Sequence, residues 1–323
     1  MNKIKVGIVG GAGYTGGELI RILLNHPQAE IVFVNSKSNA GNPVYAVHTD
    51  LFGDTELLFT DQLSQNIDVL FLCVGHGASK KFLDNNAIAD HIKIIDLSQD
   101  FRLKDSAGEF TYGLPELQRE KIKTAKHIAN PGCFATTIQL GLLPLAAKGL
   151  LQHDIHINAT TGSTGAGQSL SETSHFSWRN NNLSVYKAFQ HQHLNEIGET
   201  LLQLQASFDQ TINFIPQRGA FPRGILAAMY TACDLTIEEA YGLYTNYYNG
   251  HPFTHVSPTN INLKQAVNTN KALIYLEKHD SQLLIVSITD NLLKGASGQA
   301  VQNMNLLFGL EETAGLRLKA TGF

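Results

Sequence analysis

The sequence predicts an α/β protein in two parts: an N-terminal parallel sheet, then an α+β region built on a mixed sheet. The first part is indicated by short apolar runs that alternate with segments of helical spacing over residues 4–130. Buried strands that alternate with helices are typical of a parallel sheet covered on both faces. The second part is indicated by longer apolar runs, two of which face each other across residues 278–282 as a hairpin.

The composition supports a folded chain and excludes several classes of protein. The 323 residues are 43% hydrophobic and 16% charged, which allows an ordinary core, and the net charge of −4 argues against a general nucleic-acid binder. Mean hydropathy is −0.08, and no apolar run approaches the roughly 20 residues of a membrane span. Three cysteines and the lack of a secretory signal pattern favour a cytoplasmic location.

Apolar periodicity, together with turn-forming and helix-capping residues, predicts the individual elements. In the first part we expect strands at residues 4–9, 31–34, 69–74 and 92–96 and a helix at 14–25. Pro131 and Gly132 mark the seam between the two parts and precede a helix at 133–143. In the second part we expect strands at 154–161, 211–217, 225–234, 271–278 and 283–290, with helices at 192–204 and 299–310. Thr236 and Glu239 form a capping box that opens a further helix to about residue 247.

A glycine loop between the first strand and the first helix predicts a dinucleotide site and a Rossmann-type sheet. The loop contains Gly10, Gly13 and Gly16, with Tyr14 and Thr15 at the start of the helix. A pyrophosphate needs close approach to main-chain N–H groups at a helix N-terminus, and a Cβ would block it. A tight turn without a ligand is the alternative.

The end of the second strand predicts which dinucleotide binds. An acidic residue there would bind the ribose 2′-hydroxyl of NAD, but the chain has Ser36, Lys37 and Ser38, which suit the 2′-phosphate of NADP(H). A solvated polar turn is the alternative, above all for Lys37. Gly75 and His76 follow the third strand at the same sheet edge and are expected to line the cofactor cleft, although His76 also fits a structural loop histidine.

Cys133 is the candidate nucleophile. It stands at the first turn of a helix, where the partial positive charge of the helix N-terminus stabilises a thiolate. Another buried cysteine is the alternative. Cys73 and Cys233 lie inside strand patterns and are interpreted as small core residues.

Two polar groups in the second part are candidates for proton transfer and anion binding. One of His191 and His193, with Glu196 nearby, suits an acid/base partner for the cysteine, and the other suits a substrate contact. The sequence does not say which histidine has which role. No further Cys/His cluster accompanies them, so we expect no metal; two histidines without a catalytic role are the other alternative. Ser163 and Gly165 lie in a Gly/Ser/Thr loop that suits phosphate or carboxylate, or is simply flexible.

Together these motifs resemble the N-acetyl-γ-glutamyl-phosphate reductases of arginine biosynthesis, relatives of aspartate-semialdehyde dehydrogenase. The resemblance runs nearly end to end, through residues 10–16, 36–41, 95–103, 112–116, 130–133, 163–167, 191–193, 223–225 and 290–300. It implies NADPH-dependent reduction of an acyl phosphate to an aldehyde through a thioester on Cys133, with acid/base chemistry at His191 and His193. It also implies cofactor contacts at Asn291 and Gly295 and substrate contacts at Arg102 and Arg223.

The resemblance implies a domain organisation as well. Residues 1–132 with 297–323 would form the NADP-binding domain, and 133–296 the catalytic domain of a homodimer or homotetramer. Two positions depart from the family pattern, because Gln168 and Gln192 stand where arginines are usual. The acyl group is therefore open between acetyl and another cap such as succinyl. The alternatives to the acyl-glutamyl function are aspartate-semialdehyde dehydrogenase and a non-catalytic NADP(H)-binding regulator.

Overall fold

The structure is a computed structural model that describes residues 3–322. The chain divides into two compact units, one of Met1–Gly132 with Ala296–Arg317 and one of Cys133–Gly295 with Leu318–Phe323. Met1, Asn2 and Phe323 belong to the predicted first domain but lie outside the described residues. The sequence prediction assigned 297–323 to the first domain, whereas compactness groups the tail from Leu318 with the second unit. Leu316, 1% exposed, is the last buried side chain before that tail.

The strands and helices are numbered in chain order. The strands are β1 Ile4–Val9, β2 Ala29–Asn35, β3 Phe59–Thr60, β4 Val69–Leu72, β5 Lys93–Asp96, β6 Phe110–Tyr112, β7 His127–Ala129, β8 Ile155–Thr161, β9 Ser184–Val185, β10 Ile212–Arg218, β11 Ile225–Ala232, β12 Thr254–Val256, β13 Ala272–His279 and β14 Gln282–Thr289. The helices are α1 Tyr14–Leu24, α2 Ala78–Asn85, α3 Lys104–Ala107, α4 Pro115–Lys123, α5 Cys133–Ala147, α6 Phe176–Arg179, α7 His193–Leu204, α8 Ile237–Tyr247 and α9 Gly298–Leu307.

The first unit contains the predicted parallel sheet. Its strand order is β3-β2-β1-β4-β5-β7-β6, and every pairing in it is parallel. The central strand β4 is buried along its whole length, as expected for a sheet covered on both faces. The two strands that flank β1, β2 and β4, both follow it in the chain, so the strand order reverses at β1. Open α/β sheets bind ligands at such a reversal. The Rossmann-type prediction is confirmed.

The second unit contains the predicted mixed sheet, in the order β12-β13-β14-β11-β8-β10-β9. β8 pairs with β10 in parallel and with β11 in antiparallel register, and β13 and β14 form the predicted hairpin. The capping box at α8 is present in both directions, since Glu239 N donates to Thr236 Oγ1 at 3.2 Å and Thr236 N donates to Glu239 Oε2 at 2.8 Å. Among residues 3–322, no helix is long and apolar enough to cross a membrane.

α5 is the core helix of the second unit and is longer than the sequence indicated. Its side chains from Phe134 to Ala146 are buried, and it continues past the predicted end at residue 143, through Pro144, to Ala147. A proline inside a helix leaves the carbonyl four residues earlier without its N–H donor. Here the Tyr248 hydroxyl donates to that carbonyl, Leu140 O, and the Tyr244 hydroxyl donates to Gly141 O at 2.6 Å. Two tyrosines on and just after α8 thus stabilise the helix at its proline.

Candidate active site

Cys133 is the first residue of α5 and is half-buried. Its carbonyl accepts a hydrogen bond from Thr137 Oγ1 at 2.9 Å, and Thr137 Oγ1 also bonds Thr289 Oγ1 at 2.7 Å, which fastens the first turn of α5 to β14. Cys73 and Cys233 are buried at 8% and 6% exposure, as expected of core residues. Burial raises the pKa of the Cys73 thiol to about 12. Of the three thiols, that of Cys133 is the one that is partly exposed and lies at a helix N-terminus.

Gly295 packs directly against Cys133. A Cβ added at Gly295 would lie 2.9 Å from Cys133 Cβ, 3.1 Å from Asp290 O and 3.3 Å from Cys133 Cα. Gly295 N also donates to Asp290 O at 2.9 Å, which anchors the main chain of the glycine beside the cysteine. The resemblance implied a cofactor contact for Gly295; the structure places it beside the candidate nucleophile, where only a hydrogen side chain fits.

The two histidines lie beside the start of α5, and both contact one aromatic ring there. The Phe134 ring is edge-on to His191 at 5.4 Å and to His193 at 6.3 Å between centroids, and the two imidazoles are 4.6 Å apart. Both are 5% exposed, so neither is a surface histidine. Since Phe134 follows Cys133 in the chain, these ring contacts hold the histidine pair next to the thiol-bearing turn.

The two histidines have different partners. His191 Nδ1 accepts the main-chain N–H of His193 at 3.2 Å, which places the proton of neutral His191 on Nε2. His193 Nε2 lies 3.9 Å from Glu196 Oε1, and Glu196 is itself 4% exposed on the first turn of α7. A buried carboxylate favours the imidazolium form of a neighbouring histidine. The sequence left the order of the pair open, and the structure distinguishes the two rings by their partners, a main-chain N–H for His191 and the Glu196 carboxylate for His193.

Tyr186 and Arg218 belong to the same cluster and were not predicted. The Tyr186 ring lies 5.8 Å from the His191 ring, and the Arg218 guanidinium carbon lies 4.6 Å from the Tyr186 centroid. Burial, and after it the charge of the nearby Cys133 thiolate, raise the pKa of Tyr186 to about 12. The two residues are 32 positions apart and lie outside any motif. They meet because β9 pairs with β10, a pairing too short to leave a sequence signal.

The Gly/Ser/Thr loop is a braced segment. Ser163 N donates to Phe221 O at 2.9 Å and Thr164 N to Pro222 O at 3.1 Å. Asn291 Nδ2 donates to Thr164 Oγ1 at 3.0 Å, and Asn291 Oδ1 accepts Gly224 N at 2.7 Å. These bonds tie the loop to residues 221–224, and they give Asn291 a bracing contact within the second unit. Ser163 is half-buried and Gly165 is exposed.

The two arginines implied to bind substrate both have protein partners. Arg223 Nε and Nη2 donate to the two oxygens of fully buried Asp290 at 3.0 and 3.2 Å. Arg102, in the first unit, donates from Nε to Asn130 O and from Nη2 to Leu97 O, both at 2.9 Å. Part of each guanidinium therefore stabilises the chain, and their contact with substrate stays a prediction.

The glycine loop of the first unit fits a bound pyrophosphate. Gly10 has a φ of +79°, and a Cβ there would lie 2.5 Å from Cys73 O; a Cβ at Gly16 would lie 2.7 Å from Gly10 O. α1 begins after Gly13 with no side-chain cap and no acidic residue in its first turn, which leaves its N-terminus to an anion. His48 Nε2 bonds Gly11 O at 2.8 Å, and burial lowers the pKa of His48, so the neutral ring is the donor.

The other predicted cofactor residues follow the carboxyl ends of β2 and β4. Ser36 is buried and its Oγ accepts from Asn39 Nδ2 at 3.1 Å, while Lys37 and Ser38 are exposed. His76 is exposed, with Nδ1 accepting Gln99 N at 3.2 Å, and a Cβ at Gly75 would meet nothing within 4 Å. Within residues 3–322, no three or more His, Cys, Asp and Glu side chains are grouped to hold a metal ion.

Comparison with known proteins identifies the family. Residues 5–125 match the family described as semialdehyde dehydrogenase, NAD binding domain, and residues 133–291 match semialdehyde dehydrogenase, dimerisation domain. A Flavobacterium johnsoniae protein is 60% identical over 99% of this chain and 100% of its own, and one from Bacteroides thetaiotaomicron is 61% identical with the same coverage. Both are named N-acetyl-gamma-glutamyl-phosphate reductase.

Solved structures of more distant proteins share the fold. Aspartate semialdehyde dehydrogenase II from Vibrio cholerae, complexed with ASA, superposes with a TM-score of 0.76 over 96% of this chain and 99% of that chain, at 15% identity. The Candida albicans aspartate semialdehyde dehydrogenase with NADP gives 0.71 over 94% and 98%, at 13% identity. The full-length identity to the reductases decides the family: this chain belongs to the N-acetyl-γ-glutamyl-phosphate reductases, within the semialdehyde dehydrogenases.

Proposed function

We propose that the protein reduces N-acetyl-L-glutamyl 5-phosphate to N-acetyl-L-glutamate 5-semialdehyde and phosphate with NADPH, as a step of arginine biosynthesis. The observation that carries the proposal is the half-buried Cys133 at the N-terminus of α5, with a buried histidine pair held beside it by the Phe134 ring. The names of the relatives with about 60% identity support the choice of substrate.

Cys133 acts as the nucleophile. The helix N-terminus stabilises its thiolate, which attacks the acyl-phosphate carbonyl carbon. A C–S bond forms, the C–O bond to phosphate breaks, and phosphate leaves with the electron pair, so that a thioester remains on Sγ. NADPH, when bound, supplies the hydride that the thioester carbon accepts. Cleavage of the C–S bond then releases the aldehyde and restores the Cys133 thiolate.

His193 handles the proton that this reduction consumes. His193, with Glu196 Oε1 3.9 Å from its Nε2, donates a proton to the phosphate oxygen as the C–O bond breaks, and the proton is replaced from solvent before the next turnover. His191, whose Nδ1 already accepts a main-chain N–H, presents Nε2–H to the substrate as a hydrogen-bond donor. We therefore assign acid/base chemistry to His193 and substrate orientation to His191, with Glu196 positioning His193.

The remaining residues bind the two ligands. Gly10, Gly13 and Gly16, with Tyr14 and Thr15, would hold the NADP(H) pyrophosphate at the start of α1. A second group is assigned to the rest of the cofactor: Ser36, Lys37 and Ser38 to the 2′-phosphate, and Gly75, His76 and Asn291 to its contacts elsewhere, whereas Gly295 is assigned to the packing of Cys133. Ser163 and Gly165 of the braced loop would bind the substrate phosphate or carboxylate, and a substrate contact of Arg102 or Arg223 would be made beside the protein bonds that each already has.

The protein is proposed to work as a cytoplasmic homodimer or homotetramer. The second unit exposes large apolar side chains that a solvated monomer would leave in water. These are Leu170, Phe176, Leu183, Val185 and Phe189, at 102%, 77%, 58%, 57% and 58% exposure. The match of this unit to a dimerisation domain supports their burial against another copy.

One assay tests the proposed reaction. The purified protein is given phosphate, NADP⁺ and one aldehyde at a time: N-acetylglutamate semialdehyde, N-succinylglutamate semialdehyde or aspartate semialdehyde. We expect NADPH to form fastest with an N-acylglutamate semialdehyde. Preference for aspartate semialdehyde would replace the proposed substrate, and no turnover with any of them, while NADP⁺ still binds, would favour a non-catalytic regulator.

A further inference from the structure

Arg218 is a half-buried cation beside Tyr186. It belongs to the group of side chains around Cys133 and the histidine pair, called here the Cys133 cluster. Its Nε is buried and bonds no protein group, and no Asp or Glu in the described part of the chain lies within ion-pair distance of it. A guanidinium presents five N–H donors in a fixed fork, and leaving a buried donor without a partner is destabilising. An Arg held in this way in an active site is expected to use its free edge on a ligand.

A second cation lies next to Arg218. Arg179 Nη1 donates to the Arg218 carbonyl at 2.6 Å, and Arg179 is 7% exposed with further bonds to Thr173 O and Ser184 Oγ. Within residues 3–322 Arg179 also has no acidic partner, so two positive charges share this corner without a carboxylate between them. The electrostatic field there favours an anion brought from outside.

Tyr186 contacts both Arg218 and His191. One side of its ring packs on the guanidinium at 4.6 Å, and the ring lies 5.8 Å from His191 in the cluster that begins at Cys133. β9 and β10 fix this arrangement, with Ser184 opposite Arg218 and Tyr186 N donating to Pro216 O at 3.1 Å. The guanidinium is therefore rigidly placed one aromatic ring away from the histidine pair.

We propose that Arg218, held flat by Tyr186, binds a carboxylate of the substrate while Cys133 attacks the acyl carbon. This deepens the proposed function and rests on it, because it names the part of the substrate that the cluster recognises. A planar guanidinium matches a carboxylate through two parallel hydrogen bonds. The carboxylate is either the α-carboxylate of the glutamyl group or one on its acyl cap, and both share the same chemistry.

The test compares Arg218→Met with the wild type and with Arg317→Met, an 81%-exposed arginine whose ion pair lies at the surface. Losing a charge-assisted pair should lower kcat/KM about 10- to 100-fold through KM for the semialdehyde, with KM for NADP⁺ unchanged. An equal loss with N-acetyl- and N-succinylglutamate semialdehyde identifies the α-carboxylate, and a loss with the succinyl compound alone identifies the cap. Unchanged KM values, or a rise in KM for phosphate only, would overturn the proposal.

A second measurement does not depend on turnover. Iodoacetate carries a carboxylate and iodoacetamide is its neutral counterpart, so the ratio of their alkylation rates at Cys133 reports an anion site nearby. We expect Arg218→Met to lower that ratio about 10-fold, and Arg317→Met to leave it unchanged. If Arg218→Met does not fold, Arg218→Gln gives the same comparison. A fall in the ratio in a protein that turns over no aldehyde would support the anion site while the proposed function fails; an unchanged ratio would overturn the site.

Discussion

Replacing Gly295 by alanine should disable Cys133 without disturbing cofactor binding. The added Cβ would lie 2.9 Å from Cys133 Cβ, whereas carbon atoms in contact are about 3.5 Å apart, so something must move by roughly 0.6 Å. Asp290 O, at 3.1 Å, and Cys133 Cα, at 3.3 Å, are main-chain atoms and yield little. The first turn of α5 is therefore the element that shifts.

The size of the effect follows from two general magnitudes. Overpacking a filled site costs about 1–3 kcal/mol of folding free energy. A displacement of about 1 Å at a reacting group costs on the order of 100-fold in rate. For a shift of roughly half that, we expect Gly295→Ala to lower kcat about 10- to 100-fold and the free energy of unfolding by about 1–3 kcal/mol.

The assay separates the two roles that Gly295 can have. Steady-state kinetics in both substrates give kcat and the KM for NADPH, and the rate of iodoacetamide alkylation reports Cys133 directly. Gly242→Ala in α8 is the matched control, since its added Cβ meets nothing within 4 Å. A variant with normal kcat and a raised KM for NADPH would refute this reasoning and would support a cofactor contact for Gly295.

Three further predictions concern the histidines, the cofactor and pH. His193→Asn should cut kcat and shift the alkylation midpoint of Cys133 to higher pH, whereas His191→Asn should mainly raise KM for the substrate; profiles unchanged in both would remove the histidines from the mechanism. Replacing Ser36 by alanine and Lys37 by methionine together should raise KM for NADPH and leave KM for NADH unchanged, and an equal rise in both would show that these residues do not bind the 2′-phosphate. Burial lowers the pKa of His127 to about 4, and its Nδ1 accepts Ile94 N at 3.0 Å, so the folded state keeps the ring neutral and stability falls as pH drops from about 6.5 towards 4. His127→Asn should flatten this part of the Tm–pH curve, and an unchanged slope would contradict the assignment.

The features that the sequence predicted are those with local causes. The glycine loop follows β1 because a strand, a turn and a helix N-terminus are adjacent in the chain. α8 begins at its capping box, and α5 begins after Pro131 and Gly132, for the same reason. In each case a few neighbouring residues determine the backbone, so their pattern is sufficient.

The features that the sequence missed depend on distant partners. β3 and β6 have two and three residues, too few for a periodicity, and exist because neighbouring strands pair with them. α5 passes through Pro144 because tyrosines about 100 residues later donate to its carbonyls. Arg218 and Tyr186 meet through the two-residue strand β9, and Gly295 reaches Cys133 from the far end of the second unit. No local pattern encodes these contacts.

The central claim is that Cys133 carries the acyl group as a thioester. The direct test incubates the enzyme with N-acetylglutamate semialdehyde and NADP⁺ without phosphate, so that the acyl-enzyme has no phosphate to accept its acyl group, and then locates the adduct by intact and peptide mass spectrometry after acid quench. We predict one acyl group per chain, on the peptide that contains Cys133, removed by added phosphate and absent in Cys133→Ala. An adduct on another residue, or NADPH formation by Cys133→Ala at the wild-type rate, would contradict the account.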